Sequence, residues 1–75
     1  MRRASFATRI HGMKRQAYES LERGSDNVSI SCLNFGFESR DAKRVAEAIA
    51  ESGMFGSVRA QGFMGYIKFT KKAQP

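Results

Sequence analysis

Three features of the sequence predict an α+β fold in which two helices pack on one face of a small, mainly antiparallel three-stranded sheet, in the order α-β-α-β-β. Apolar residues recur at helical spacing from Phe6 to about Arg23 and from Ser39 to Ser52. They alternate at a strand's period of two from Asn27 to about Phe35 and from Ser57 to Thr70. Turn-forming residues, Gly24-Ser25-Asp26-Asn27 and Gly56-Ser57, punctuate these stretches. Helices segregated to one face of an antiparallel sheet bury all the apolar sides at once.

In the first stretch Phe6, Ile10, Met13, Ala17 and Leu21 form one narrow stripe on a helix. Ser5 is the expected N-cap, Gly24 the stop, and Glu19 with Arg23 an i,i+4 ion pair. Gly12 costs such a helix about 1 kcal/mol relative to Ala, so its first two turns are expected to fray or bend. Arg9, Lys14, Arg15 and Arg23 lie off the stripe and give the helix a basic side.

The next stretch alternates through Val28, Ile30 and Cys32, but Leu33, Phe35 and Phe37 then fall on the opposite parity. Either the strand ends covered on both faces or a bulge near Leu33 switches its sides. From Ser39 to Ser52, Ala42, Val45, Ala46, Ile49 and Ala50 share a face opposite Arg40, Lys43, Arg44, Glu47 and Glu51. Ser39 is the expected cap, Asp41 suits the first turn, and Gly53 ends the helix. Met54 and Phe55 then fold back as a hydrophobic contact.

The last stretch, SVRAQGFMGYIKFT, places Phe63, Gly65, Ile67 and Phe69 on one side and Met64, Tyr66, Lys68 and Thr70 on the other. Val58 and Ala60 are apolar on even numbers, so the parity flips before Phe63. A hairpin with its turn at Gln61 and Gly62 accounts for the flip, Gly62 tolerating a positive φ.

The 75 residues form a single domain, with 1–5 and 71–75 expected to be flexible. A chain this short hides only about 60% of its unfolded surface, so its core is thin. One cysteine, Cys32, allows no internal disulfide and is read as a core filler. The lack of paired cysteines favours a reducing, cytoplasmic compartment. The basic, acid-free start through Gln16 also reads as a mitochondrial transit segment, the alternative localisation. No apolar run approaches the length of a membrane span.

Thirteen Lys and Arg against seven Asp and Glu give a net charge of +6, a field that attracts polyanions. Two blocks, Arg2, Arg3, Arg9, Lys14 and Arg15 at one end and Lys68, Lys71 and Lys72 at the other, are nearly free of acids. Catalysis has no visible constellation. His11 lacks an acidic neighbour in sequence to orient it, one Cys and one His do not supply a zinc site, and Gly62 and Gly65 introduce no helix that would cradle phosphates. No enzyme, metal or cofactor is therefore expected.

The order strand, helix, strand, strand resembles the first half of an RNA-recognition motif over residues 28–70. Gly65-Tyr66-Ile67-Lys68-Phe69 matches the last five positions of that family's third-strand signature. Gly62-Phe63 is similar to its second and third positions, with Met64 as one additional residue. Ile30-Ser31-Cys32-Leu33-Asn34-Phe35 is similar to its first-strand pattern at Ile30 and Asn34. The resemblance implies a sheet face that stacks bases, with Tyr66 as the platform aromatic while Ser31 and Met64 stand where the family has other aromatics.

Both lines lead to a small binding protein that contacts RNA or single-stranded DNA through Tyr66, Lys68, Met64 and Arg59. Lys71, Lys72, Arg2, Arg3, Arg9, Lys14 and Arg15 extend the cationic track. The other reading is a protein-interaction module, such as a phage-type inhibitor of the anti-CRISPR kind, docking on an acidic or nucleoprotein partner. A homodimer suits either, because Phe35, Phe37, Met54, Phe55, Met64 and Tyr66 exceed the apolar needs of so small a core.

Overall fold

The structure, a computed structural model, describes residues 5–62 and 64–73. Helix α1 spans Phe6–Glu22, capped by Ser5, whose Oγ accepts from the Thr8 amide at 3.2 Å. Its stripe is buried at Ile10, Met13, Ala17 and Leu21, whereas Phe6 stays at the surface, edge-on to Phe37 at 5.5 Å. The helix runs unbroken through Gly12. A Cβ there would stand 3.3 Å from the Phe35 ring, so the glycine lets that ring lie against the helix. The i,i+4 ion pair that forms is Arg15 with Glu19, at 3.1 Å, rather than Glu19 with Arg23. Arg23 is already the C-cap and has left helical geometry, ahead of Gly24 at φ +109°.

Strand β1 is shorter than the alternation suggests, Asn27–Ser31. The parity change at Leu33 is neither a doubly covered strand nor a bulge but a 3₁₀ turn, Cys32–Phe35. Ser31 initiates it by accepting from the Leu33 amide, and Gly36 closes it at φ +81°. A second 3₁₀ turn, Ser39–Asp41, leads into helix α2, Ala42–Ala50. Ser39 is thus inside the first turn and not its cap. That place belongs to Glu38, whose amide donates to Asp41 Oδ2 at 3.0 Å. Gly53 ends the segment at φ +72°, with Ser52 Oγ donating to the Ile49 carbonyl at 2.7 Å.

Strands β2, Ser57–Gln61, and β3, Tyr66–Thr70, form the expected hairpin. Gln61 still pairs with Tyr66, so the connection is Gly62 to Gly65, with positive φ at both glycines. Met64 and Gly65 therefore belong to the turn and not to the alternating strand. Phe63, expected on the inner face, lies outside the described residues. β3 sits in the middle of the sheet, antiparallel to β1 on one side and to β2 on the other. β1 and β2 are consequently parallel, and the chain between them, including α2, makes a split β-α-β unit around β3.

Register assigns Val28, Ile30, Val58, Ala60, Ile67 and Phe69 to the inner face, which the helices cover except at Ala60, exposed on the edge strand β2. Met13, Val45, Ile49, Ile67 and Phe69 are fully buried, each such large side chain being worth about 1.5–3 kcal/mol. Phe55 packs edge-on against Phe69 at 5.0 Å, as the expected fold-back contact, while Met54 stays exposed. The tail expected to be flexible from Lys71 is held at its start. The Lys71 amide donates to the Asp26 carbonyl at 3.0 Å and Lys72 Nζ to the Gly53 carbonyl at 3.0 Å. Among the described residues, no helix is long and apolar enough to cross a membrane.

Candidate functional site

The sheet face turned away from the helices has three cross-strand rows, set by the two antiparallel registers. Asn27, Thr70 and Ser57 form the first, Ser29, Lys68 and Arg59 the second, and Ser31, Tyr66 and Gln61 the third. None of these nine residues is acidic, although the chain has seven Asp and Glu. Lys68 and Arg59 are directly opposite one another, and Tyr66 follows them one row along the strands. Its side chain is 46% exposed.

Tyr66 stands at the end of the sheet where two turns meet. The Cys32 amide donates to the Gly65 carbonyl at 2.8 Å, which joins the 3₁₀ turn after β1 to the hairpin turn before β3. Leu33 on the first turn and Met64 on the second are 51% and 67% exposed. Both turns thus carry an exposed apolar side chain at the end of the sheet where the Tyr66 phenol is open to solvent, with Lys68 and Arg59 one row along. An arrangement of this kind offers a π-face to a flat ring and cations to an anion attached to it.

Of the residues the sequence singled out, the fold gathers Tyr66, Lys68 and Arg59 on this face and leaves Met64 in the turn that leads into β3. Lys71 and Lys72 follow the other end of β3, and with Lys14 and Arg15 of α1 they border a separate groove around Tyr18 and Met54. Arg9 is taken up inside the fold. Its guanidinium lies 4.4 Å over the Phe37 ring and Nη1 donates to the Gly36 carbonyl at 2.8 Å, while Arg44 lies 4.9 Å over Phe6. The alternating cations and rings fasten the start of α1 to the 3₁₀ turn and to α2. Arg2 and Arg3 lie outside the described residues.

Sequence reasoning missed Ser29 and Gln61 as members of the open face and Leu33 as an exposed side chain on the turn beside it. The signal for Leu33 was its reversed parity, and the signal for Ser29 was its place between two inward apolar residues. Cys32 is fully buried, and its thiol donates to the Glu38 carbonyl at 3.4 Å. Burial, and secondarily the negative charge of Asp41, raise its pKa above the ordinary thiol range, which opposes thiolate chemistry. Among the described residues, no group of three His, Cys, Asp or Glu is placed to hold a metal ion. Comparison with protein families, with curated proteins and with solved structures finds no match to the chain.

Proposed function

We propose that this chain is a binding module that holds RNA or single-stranded DNA on its open sheet face. The observation that supports this best is the acid-free face itself, on which Arg59 and Lys68 are paired directly beside the exposed ring of Tyr66. The two cations take the phosphate, and one base stacks on Tyr66. Ser29 and Gln61 supply hydroxyl and amide groups at the margins. With a single aromatic, stacking contributes about 1–3 kcal/mol, so affinity is modest and sequence preference weak.

The resemblance to an RNA-recognition motif agrees with this reading at one point of geometry. The two platform positions it maps onto β1 and β3, Ser31 and Tyr66, are cross-strand partners. Here serine replaces the first aromatic and is itself buried, its hydroxyl accepting from the Leu33 amide, which leaves one stacking position where the family has several.

Fluorescence anisotropy with labelled oligouridine and oligothymidine tests the proposal. Binding should weaken with salt, log K falling by about 0.7 per decade of salt for each phosphate neutralised on a single strand. Lys68→Glu and Tyr66→Ala should each reduce it. Absence of binding at low salt, or binding that ignores both substitutions, overturns it.

A further inference from the structure

A second surface of the molecule is built differently from the sheet face. Beyond the end of β3 opposite Tyr66, two adjacent hollows share Tyr18 and Met54 as walls. One, of about 250 Å³, is closed by His11, Lys14 and Arg15 of α1. The other, of about 170 Å³, reaches Leu21 and Phe55 at its base and Lys71 and Lys72 at its rim. Tyr18 and Met54 are 47% and 38% exposed, so the groove has an uncovered apolar floor.

From this geometry we propose that the groove docks an acidic peptide segment anchored by one large apolar side chain. Charge selects the occupant. Lys14, Arg15, Lys71 and Lys72 stand around the floor against the carboxylates of Glu19 and Glu22. Arg15 shares Glu19, whereas among the described residues the hydrogen bond of Lys72 goes to the neutral Gly53 carbonyl. Size selects the anchor. Each hollow is smaller than the roughly 300–1,000 Å³ that encloses a whole small-molecule ligand, and suits a side chain inserted from an extended segment. The Met54 thioether is an adaptable wall for such an anchor.

The same groove is ill suited to a nucleic acid backbone. Glu22 lines it beside Tyr18 and, as hydrogen-bond acceptor first and as negative charge second, raises the pKa of the phenol. A carboxylate in that position repels phosphates and acidic side chains alike, but it accepts hydrogen bonds from a peptide's amides, donors that a nucleic acid backbone lacks. The groove and the sheet face lie at different ends of β3, so both can be occupied together.

The probe is a fluorescein-labelled nonapeptide of glutamates around one central phenylalanine, followed by anisotropy and by amide shifts of the isotope-labelled protein. Shifts should centre on Tyr18, Met54 and Lys71. Replacing the peptide's phenylalanine by serine should weaken binding by about tenfold or more. Met54→Ser, at an exposed site beyond α2, should weaken it several-fold, as should the double change Lys14→Glu with Lys71→Glu, while Tyr66→Ala and a bound oligothymidine leave it unchanged. Equal binding of the serine peptide, shifts centred on Tyr66 and Lys68, or sedimentation showing that a second copy already covers the groove would each overturn the proposal.

Discussion

Arg59 and Lys68 oppose each other across the β2–β3 ladder, two positive charges on a face whose strand residues include no carboxylate. Like charges directly opposed on a sheet destabilise it, by an amount comparable to the roughly 0.2–1 kcal/mol of other cross-strand pairs. A fold with so thin a core gains by removing such a pair, unless an anion fills the space between them. Arg59→Thr is therefore expected to raise the urea midpoint slightly while weakening oligonucleotide binding. The salt slope should fall by roughly the value of one phosphate contact. Parallel denaturation and anisotropy titrations of the variant check both signs, and a loss of stability would remove the argument from repulsion.

Tyr66 separates stacking from hydrogen bonding. Its ring is half exposed and outside the core, so Tyr66→Ala should leave thermal stability nearly unchanged while costing about 1–3 kcal/mol of binding. Tyr66→Phe keeps the ring and should bind within about twofold of the parent chain if stacking carries the contact. Anisotropy with the same oligothymidine measures all three proteins.

The helices and the hairpin were legible because their signals are local. Ile10, Met13, Ala17 and Leu21 repeat at one helical face, and the opposite parities of Val58, Ala60 and Ile67, Phe69 require a reversal between them. The 3₁₀ turn at Cys32–Phe35 was not legible, since a reversed parity has several backbone solutions and the selecting bond, Cys32 amide to Gly65 carbonyl, is remote in sequence. Arg9 shows the same limit. Its partners, Gly36 and Phe37, are 27 and 28 residues away, so its local pattern reads only as a basic helix face. The candidate site was half legible. Tyr66, Lys68 and Arg59 follow from strand alternation, but the division of the basic residues between two ends of β3 depends on how α1 packs.

Gly65 and Gly53 share a left-handed backbone, at φ +77° and +72°, but not their surroundings. A Cβ on Gly65 would stand 3.2 Å from both Cys32 Sγ and Ser39 Cα, whereas one on Gly53 meets nothing within 4 Å. Gly53→Ala should thus cost only the left-handed penalty of about 1–2 kcal/mol. Gly65→Ala should add an overpacking term of about 1–3 kcal/mol, because the hairpin turn must move away from the 3₁₀ turn. Urea denaturation of the two variants ranks them, and it should also show Gly65→Ala weakening oligonucleotide binding through displaced Met64 and Tyr66.

Cys32 gives the fold an alkaline dependence whose sign is fixed by its burial. Desolvation keeps the folded thiol protonated at pH values where the unfolded chain, with a thiol pKa of about 8.5, has released the proton. In that window the folded state binds more protons than the unfolded one, so stability falls as pH rises, and below the unfolded pKa the dependence disappears. Cys32→Ala removes this slope while lowering stability at every pH through the lost packing of a fully buried side chain. Urea midpoints at pH 7.5 and 9.5 should therefore differ more for the parent chain than for the variant. Iodoacetamide should modify the parent thiol rapidly only in denaturant, since the sulfur is shielded and bonded to the Glu38 carbonyl in the folded state.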